Sequence, residues 1–461
     1  MSLPVSPLPC PPVPDASRRT RYVLCGLSIR SIHHFVTPLT GRSLSPTPND
    51  FTDCAELTAV LDIDPGRVEA FNRKSGLELT CYRPEEFSRM IETERPDVVL
   101  VAGPDHTHFD YILQALDHGC DVIAEKPMVL SAEEAKQVIE AEERTGRRVT
   151  VTMNLRYKPL QQRLRRLIAS GAVGRIVNID FTYNLDTEHG ASYFFRWNRQ
   201  RALSGGLNVH KLCHHFDVVN WWLDDRPARV FAFGDLNFYG ANGAHKPTGE
   251  NGAPLPLPEL KARCPYYRKH LAAYNDPATP RIKAGWDEYH LPYDRQYPPD
   301  QAAYLYDGEI DIEDTYGVLI RYRKGAILNY SINFSAAWEG FNIGINGTHG
   351  RIETSYRRQA TFSENGEQPA SGTDVISVIP LFEPPYQITV PSGSGGHGGA
   401  DEPIQRDLFR AVAPESVELG LTADSIQGAY AVAAGEAVWL SCRSGQPVEI
   451  PRFEALRRSC K

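Results

Sequence analysis

The sequence of 461 residues lacks a long hydrophobic run and a concentrated block of positive charge. No stretch of about 18 apolar residues is present, and the Pro-rich residues 1–19 lack the apolar segment of a signal peptide. The formal net charge of -8 is small for this length, which argues against nucleic acid or a membrane surface as a partner. We therefore expect a cytoplasmic protein, with residues 1–19 as a flexible arm.

The sequence also lacks a regular cysteine pattern. Its nine cysteines are odd in number, widely scattered and never spaced as C-x-x-C. This argues against a disulfide framework and against a zinc knuckle, and it fits a reducing compartment.

Two kinds of hydrophobic pattern divide the chain. Over residues 20–150, apolar runs such as "DVVLVAG" alternate with amphipathic segments, which predicts a doubly wound parallel sheet with helices on both faces. One helix should begin after Ser131 and end at Gly146. Over residues 151–445, alternating segments such as "DTYGVLIRYRKGAILNYSINFSA" predict an α+β domain with a large, mainly antiparallel sheet. We interpret residues 240–305 as a long loop and residues 446–461 as a C-terminal tail.

The first strand is not followed by the G-x-G-x-x-G motif of dinucleotide-binding proteins. The chain instead has "GLSIRS", in which Gly26 can make the tight turn while Ser28 and Arg30 offer a hydroxyl and a cation to phosphate. Ile29, between them, is a further candidate for cofactor contact. An ordinary strand-to-helix turn stays open as the alternative. Asp62, after the second strand, suits the ribose hydroxyls of NAD and repels the 2'-phosphate of NADP, although the nearby Arg67 keeps NADP open.

Four segments, in order and spacing, resemble the Gfo/Idh/MocA family of NAD(P)-dependent sugar oxidoreductases. They are "VAGPDHTHFDYILQAL", "DVIAEKPMVLSAEEA", "VTMNLRYKP" and "SGGLNVHKLCHHFDVVNWWL", and the resemblance covers about residues 20–445. It implies an N-terminal Rossmann domain, followed by a substrate-binding and oligomerisation domain whose open sheet commonly forms dimer or tetramer contacts. We therefore expect a homodimer or homotetramer.

The resemblance also implies roles for individual residues. Lys126 of the E-K-P triplet would lie beside the nicotinamide and the reacting hydroxyl. The other residues that match family motifs are expected to contact cofactor or substrate, and they are Pro104, His108, Glu125 and Asn154 on the cofactor side and Arg156 and Tyr157 on the substrate side.

The stretch around residues 204–217 carries three histidines. Family members often have D-x-x-x-H-x-x-D here, and His214 and Asp217 match the last two positions, whereas His210 stands where the first aspartate is usual. At helical spacing His210, His214 and Asp217 share one stripe, which can face a cavity, and His215 falls off it. His214 is then the natural general base. A divalent metal held by this stripe, or a purely structural histidine face, are the alternatives, and we predict no metal.

A carbohydrate subsite is predicted just before this stretch. In "NLDTEHGASYFFRWNRQ", Tyr193 and Trp197 can stack on sugar faces while His189 and Arg196 can hydrogen-bond hydroxyls.

These observations lead to one main hypothesis. We expect an NAD-dependent dehydrogenase that oxidises a ring hydroxyl of a sugar, glycoside or polyol, with C3 as a candidate position, and in which His214, aided by Lys126 and His210, takes the hydroxyl proton. A second hypothesis is a glycoside hydrolase that uses bound NAD for transient oxidation, elimination, hydration and re-reduction. A third is a non-catalytic NAD-binding regulatory protein.

Overall fold

The N-terminal half is built on a seven-stranded sheet, sheet A. The structure, a computed structural model, describes residues 18–42, 49–265, 304–359, 372–393 and 396–458. With strands numbered along the chain, the members of sheet A are β1 (Thr20–Cys25), β2 (Ala55–Leu61), β3 (Thr80–Tyr82), β4 (Val98–Val101), β5 (Asp121–Ala124), β6 (Val149–Val151) and β15 (Ala423–Asp424). Their order is β15-β6-β5-β4-β1-β2-β3, and every pair is parallel except β15 with β6. The predicted doubly wound Rossmann architecture is confirmed.

Helices connect the strands of sheet A and cover it. They are α1 (Ile29–Ser31), α2 (Thr37–Thr40), α3 (Pro65–Ser75), α4 (Phe87–Glu94), α5 (His108–Asp117) and α6 (Ala132–Thr145), with a π-helical turn (Ile32–Val36) between α1 and α2. Helix α6 has the predicted ends. Ser131 caps its first turn by accepting from the Glu134 amide, and Gly146 ends it in the left-handed region at φ 68.

The C-terminal half is built on a nine-stranded sheet, sheet B. Its strands are β7 (Ile176–Asp186), β8 (Pro227–Asp235), β9 (Thr315–Tyr322), β10 (Ile327–Ala336), β11 (Trp338–Gly347), β12 (Gly350–Gln359), β13 (Thr373–Pro380), β14 (Tyr386–Pro391) and β16 (Val448–Glu449). The order is β14-β13-β12-β11-β7-β10-β9-β8-β16, with only β7 and β10 parallel. Buried and outward-facing residues alternate along β9, so one face of the sheet is covered. The predicted antiparallel-rich sheet is confirmed.

Nine helices of the described chain belong to this half. They are α7 (Pro159–Ala169), α8 (Thr187–Ala191), α9 (Arg201–Ser204), α10 (Leu207–His210), α11 (Leu212–Leu223), α12 (Leu257–Arg263), α13 (Asp401–Phe409), α14 (Pro414–Leu419) and α15 (Ser425–Ser444). Helix α15 packs on α6, α11 and β8 and so joins the two halves. It also fixes α10, since a Cβ at Gly435 would lie 2.4 Å from the Asn208 carbonyl oxygen, and Asn208 donates to the Gly435 carbonyl at 2.9 Å.

Parts of the three segments interpreted as arm, loop and tail are described. Residues 1–17 of the arm and 266–303 of the long loop lie outside the described residues, while α12 falls within that loop. In the segment interpreted as a tail, β16 pairs with β8 and Phe453 packs edge-on against Tyr430. None of the helices in the described residues is both long and apolar enough to cross a membrane.

Candidate active site

The candidate site lies at the carboxyl edge of sheet A, where the strand order reverses. Strands β4 and β5 continue the sheet on one side of β1, and β2 and β3 continue it on the other. Ligands of doubly wound proteins bind at such a reversal. The turns after β1 and β4 touch here: Gly26 has φ 97, and a Cβ on it would lie 2.5 Å from the Gly103 Cα. Only glycine at position 26 permits this approach.

The turn after β1 is held by two serines. The Ser28 hydroxyl accepts from the Ser31 amide at 3.2 Å, and the buried Ser31 hydroxyl donates to the Gly26 carbonyl at 2.9 Å. Ser28, expected to offer its hydroxyl to phosphate, is therefore the N-cap of α1, whose first residue is Ile29. The role of Ser31 was missed by sequence reasoning. Ser31 stands at the position of the last glycine of G-x-G-x-x-G, and no known motif predicts a hydroxyl there.

Arg30, which was expected to offer its cation to phosphate, is paired with two carboxylates of the protein. Its Nε donates to the Glu125 carboxylate at 2.9 Å and its Nη1 to Asp401 at 3.2 Å. Burial alone would raise the pKa of Glu125, but Arg30, His34 and Lys126 outweigh it and lower this pKa to about 2. The guanidinium thus joins the E-K-P turn to the start of α13.

Asp62 also contacts the turn after β1. Its carboxylate accepts from the Leu27 amide at 2.8 Å and from the Asp64 amide at 2.8 Å, and it lies 3.6 Å from Arg67. The side chain is buried, and burial raises its pKa against the effect of Arg67. In this fold, a carboxylate at the end of β2 typically accepts hydrogen bonds from the hydroxyls of the adenosine ribose.

The residues after β4 and β6 brace the edge of the sheet. His108 is buried, with Nδ1 2.8 Å from the Pro127 carbonyl oxygen and Nε2 3.0 Å from that of Gly103, so it ties the turn that begins at Pro104 to the E-K-P turn. Asn154 is buried too, and its Oδ1 has no hydrogen-bond partner among the described residues.

Arg156 and Tyr157, which were expected on the substrate side, both lie in the core. Arg156 is 1% exposed and makes a bidentate pair with Asp217 at 2.8 and 2.5 Å. The Tyr157 hydroxyl donates to Asp407 at 3.0 Å. Both side chains are thus committed to structural carboxylates, and Asp217 faces Arg156 and not the histidines.

The histidine segment is not one continuous helix. Helix α10 ends at His210 and α11 begins at Leu212, with Lys211 between them at φ -105 and ψ -46. His215 is buried against sheet B, with Nδ1 2.6 Å from the Tyr330 hydroxyl. His214 keeps a buried Nδ1 without a hydrogen-bond partner in the described chain. Burial, Lys126 and Lys211 hold the pKa of His214 well below its usual value, so its ring is neutral near pH 7.

His210 has the most contacts to the rest of the site. Its Nδ1 lies 2.5 Å from the Asp105 carboxylate and its Nε2 3.1 Å from the Asn198 amide nitrogen. Lys126 Nζ donates to the His210 carbonyl at 3.2 Å, which connects the E-K-P turn to α10. Asp105 was missed by sequence reasoning because it lies 105 residues away from its partner.

A second carboxylate–histidine pair lies in the predicted carbohydrate subsite. His189 Nδ1 is 3.1 Å from Glu339, and its Nε2 is 3.3 Å from the Tyr193 hydroxyl. The Tyr193 and Trp197 rings lie edge-on to His210 with centroids at 5.7 and 5.6 Å. The subsite residues are therefore brought together around His210.

Arg196 is the remaining residue of the predicted carbohydrate subsite. The Arg196 guanidinium lies 5.8 Å from the Phe195 ring centroid, and its Nε is buried without a hydrogen-bond partner in the described ranges.

In the described ranges, no group of three or more His, Cys, Asp or Glu side chains has an arrangement that could hold a metal ion. The alternative hypothesis was a metal held by His210, His214 and Asp217. The Asp217 carboxylate is instead paired with Arg156.

Two family profiles match most of the chain. Residues 23–153 match the NAD-binding Rossmann fold of the Gfo/Idh/MocA oxidoreductases, and residues 165–450 match the C-terminal alpha/beta domain of the same family. The chain belongs to the Gfo/Idh/MocA oxidoreductase family. It is accordingly an NAD(P)-dependent dehydrogenase with an NAD-binding Rossmann domain.

Similar proteins extend the comparison. The chain is 40% identical over 437 residues to YteT of Bacillus subtilis (strain 168), an oxidoreductase by name, covering 92% of this chain and 96% of that protein. It is 30% identical over 187 residues to an inositol 2-dehydrogenase of Rubrobacter xylanophilus, covering 39% and 48%. A solved levoglucosan dehydrogenase in complex with NADH and levoglucosan has a TM-score of 0.63 at 17% identity, covering 94% and 100%. At that identity the likeness shows the fold alone.

The residues at the edge of sheet A fit NAD. The close approach of Gly26 to Gly103 brings the turns after β1 and β4 together where the strand order reverses, and Asn154 offers a buried oxygen that has no partner in the described chain. Asp62 adds a carboxylate at the end of β2, which suits a ribose with free hydroxyls better than a 2'-phosphate.

Proposed function

We propose that this dehydrogenase oxidises a ring hydroxyl of a sugar, glycoside or sugar-like polyol, with C3 as a candidate position. One observation carries the proposal: Lys126, Tyr193 and Trp197 each lie within hydrogen-bond or ring-contact distance of His210, at the edge of sheet A. Proton-transfer groups and sugar-stacking rings beside a nicotinamide site are what alcohol oxidation of a carbohydrate requires.

Each side chain of the cluster has a role in this reaction. The Trp197 and Tyr193 rings orient the sugar and exclude water, while the Lys126 ammonium is held at the E-K-P turn by the His210 carbonyl at 3.2 Å. His214 and His210 are candidate acceptors for the hydroxyl proton, because burial lowers the pKa of both rings and keeps them neutral. When bound, NAD supplies the acceptor for the hydride of the oxidised carbon.

A second function, an NAD-dependent glycoside hydrolase, is favoured by the Glu339–His189–Tyr193 contacts. Transient oxidation, elimination and hydration need a further acid/base group beside the one that serves hydride transfer. His189 between Glu339 at 3.1 Å and the Tyr193 hydroxyl at 3.3 Å is such a group.

A substrate screen tests both functions. Free sugars, methyl glycosides and cyclic polyols are incubated with NAD, and NADH absorbance is followed together with release of the aglycone. A dehydrogenase accumulates NADH in proportion to ketone, and this is the result we expect. A hydrolase releases aglycone with catalytic NAD and no net NADH, and the absence of both signals for every compound contradicts both functions.

We further infer that a second copy of this chain covers the outer face of sheet B. That face exposes apolar side chains on β8, β9 and β13, including Phe233 at 68%, Leu319 at 48% and Val375 at 42%. Light scattering coupled to size exclusion should give a dimer or tetramer, and Phe233→Lys with Leu319→Lys should shift it toward monomer. A monomeric wild-type chain contradicts this inference.

A further inference from the structure

The contact between Asp105 and His210 joins two parts of the chain that no motif connects. Asp105 begins the 3-10 turn after β4, and His210 ends α10. The Asp105 side chain is 5% exposed and the His210 side chain 13%, with 2.5 Å between Oδ2 and Nδ1. A carboxylate this close to an imidazole, with little access to water, makes a charge-assisted hydrogen bond.

This contact fixes the tautomer of His210. An ionised carboxylate can only accept, so Nδ1 carries the proton and Nε2 carries the lone pair. The Asn198 amide fits this arrangement, since its Nδ2 lies 3.1 Å from Nε2 and can donate to it. The ring therefore presents a basic nitrogen on the side of Asn198, and a substrate hydroxyl reaches that nitrogen by taking the place of the amide.

The surroundings of His210 place this nitrogen inside the proposed substrate site. The Tyr193 and Trp197 rings lie edge-on to the imidazole, and Lys126 is bonded to the His210 carbonyl. The charged and titratable groups that face His210 are Asp105 from the turn after β4, Lys126 from the turn after β5, Tyr193 from the segment after α8, and Lys211 from its own segment. Asp105 is the one carboxylate among these four groups.

We propose that His210 accepts the hydroxyl proton of the substrate and that Asp105 is its positioning residue. This rests on the proposed dehydrogenase function. In the step, the substrate O–H proton moves to His210 Nε2, the C–O bond becomes C=O, and the hydride of that carbon leaves to NAD. Asp105 retains the Nδ1 proton in its hydrogen bond and stabilises the imidazolium that forms, without itself being protonated.

The experiment compares Asp105→Asn with two other variants in the holoenzyme. Asp105→Glu keeps the charge, and Asp110→Asn is a matched control because Asp110 is exposed on the neighbouring helix α5. We expect Asp105→Asn to lower kcat about 100-fold, the scale of one acid/base group, and Asp110→Asn to leave kcat unchanged. Because Asp105 opposes the burial that lowers the pKa of His210, its removal should also move the acidic limb of kcat/KM to lower pH. Asp105→Glu should keep that limb in place and recover part of kcat.

A second readout does not depend on turnover. In protein labelled with ¹⁵N-histidine and saturated with NADH, we expect a downfield proton on His210 Nδ1 that is lost in Asp105→Asn and retained in Asp110→Asn. Absence of this resonance in the wild type overturns the pair, as does an Asp105→Asn variant with unchanged kcat and pH profile.

The proposed function fails in a different way. A wild type that oxidises no sugar or polyol overturns the dehydrogenase substrate class, and with it the catalytic use of His210, whatever the resonance shows. If the wild type oxidises a sugar or polyol and Asp105→Asn has the same kcat and pH profile, only the proposed role of the Asp105–His210 pair is overturned. Loss of kcat in His214→Gln but not in His210→Gln would likewise move the proton acceptor to His214.

Discussion

The geometry of the cofactor edge depends on residues that are close in sequence, whereas the geometry of the histidine segment depends on residues that are distant in sequence. At the cofactor edge, the backbone and neighbours along the chain determine the geometry: Gly26 has φ 97 and Ser28 caps the helix that follows it. In the histidine segment, partners from distant strands determine it, because His210 meets Asp105 and His215 meets Tyr330. Local motifs therefore locate the site, while long-range pairs decide what each side chain does in it.

The largest effect is expected at the one residue that belongs to both regions. Lys126 lies in the E-K-P turn, and its Nζ is bonded to the His210 carbonyl. We expect Lys126→Ala to lower kcat/KM by about 10³-fold, since in the proposed reaction it removes a group beside the reacting hydroxyl. Steady-state kinetics check this, with Lys136→Ala on α6 as the control. A loss below about 10-fold would take Lys126 out of the chemistry.

The next effect separates structure from catalysis within the histidine segment. Asp217→Ala leaves the buried guanidinium of Arg156 without its carboxylate, which should cost about 3–5 kcal/mol of unfolding free energy. Chemical denaturation measures this cost. The control is Asp117→Ala, which removes a surface pair with Arg144 and should cost at most about 1 kcal/mol. Equal costs would show that the Arg156 pair is not the core contact described above.

A smaller effect tests the backbone argument at the cofactor edge. Gly26→Ala forces a Cβ to within 2.5 Å of Gly103, whereas Gly76→Ala has the same left-handed strain with nothing within 4 Å. We expect Gly26→Ala to weaken NADH binding at least about 10-fold, equivalent to about 1.4 kcal/mol, and Gly76→Ala to leave it unchanged. Fluorescence titration with NADH distinguishes the two. Equal affinities would remove the steric requirement at position 26.

The smallest effect compares two tyrosines. Tyr157→Phe loses the bond to Asp407 and should cost about 1 kcal/mol of stability without changing KM. Tyr193→Phe loses its contact with His189 and should instead change kcat/KM. Thermal unfolding and kinetics on both variants give the comparison. A raised KM in Tyr157→Phe, with stability intact, would return that residue to the substrate site.

The fold could be predicted in large part from the sequence. The change from apolar runs to alternating segments near residue 151 follows directly from the period of each sheet, and the ends of α6 follow from Ser131 and Gly146. The attachment of β15 to β6 could not be predicted, because a two-residue strand has no period.

The candidate site could be predicted in position but not in its pairings. Lys126, His210 and the Tyr193 segment belong to recognisable motifs, and the structure brings them together. Arg30 was expected to bind phosphate and Arg156 to bind substrate, because the sequence does not show which carboxylate pairs with an arginine. Their carboxylates, Glu125 and Asp217, lie 95 and 61 residues away.

The central claim is that this site removes hydride from a ring carbon of a sugar-like alcohol. Its most direct test uses cyclic polyols and sugars perdeuterated at their ring carbons, with unlabelled NAD, followed by mass spectrometry of the reduced cofactor. We expect one deuterium per NADH formed, together with a slower rate than for the unlabelled compound. Consumption of substrate without deuterium in NADH would contradict it.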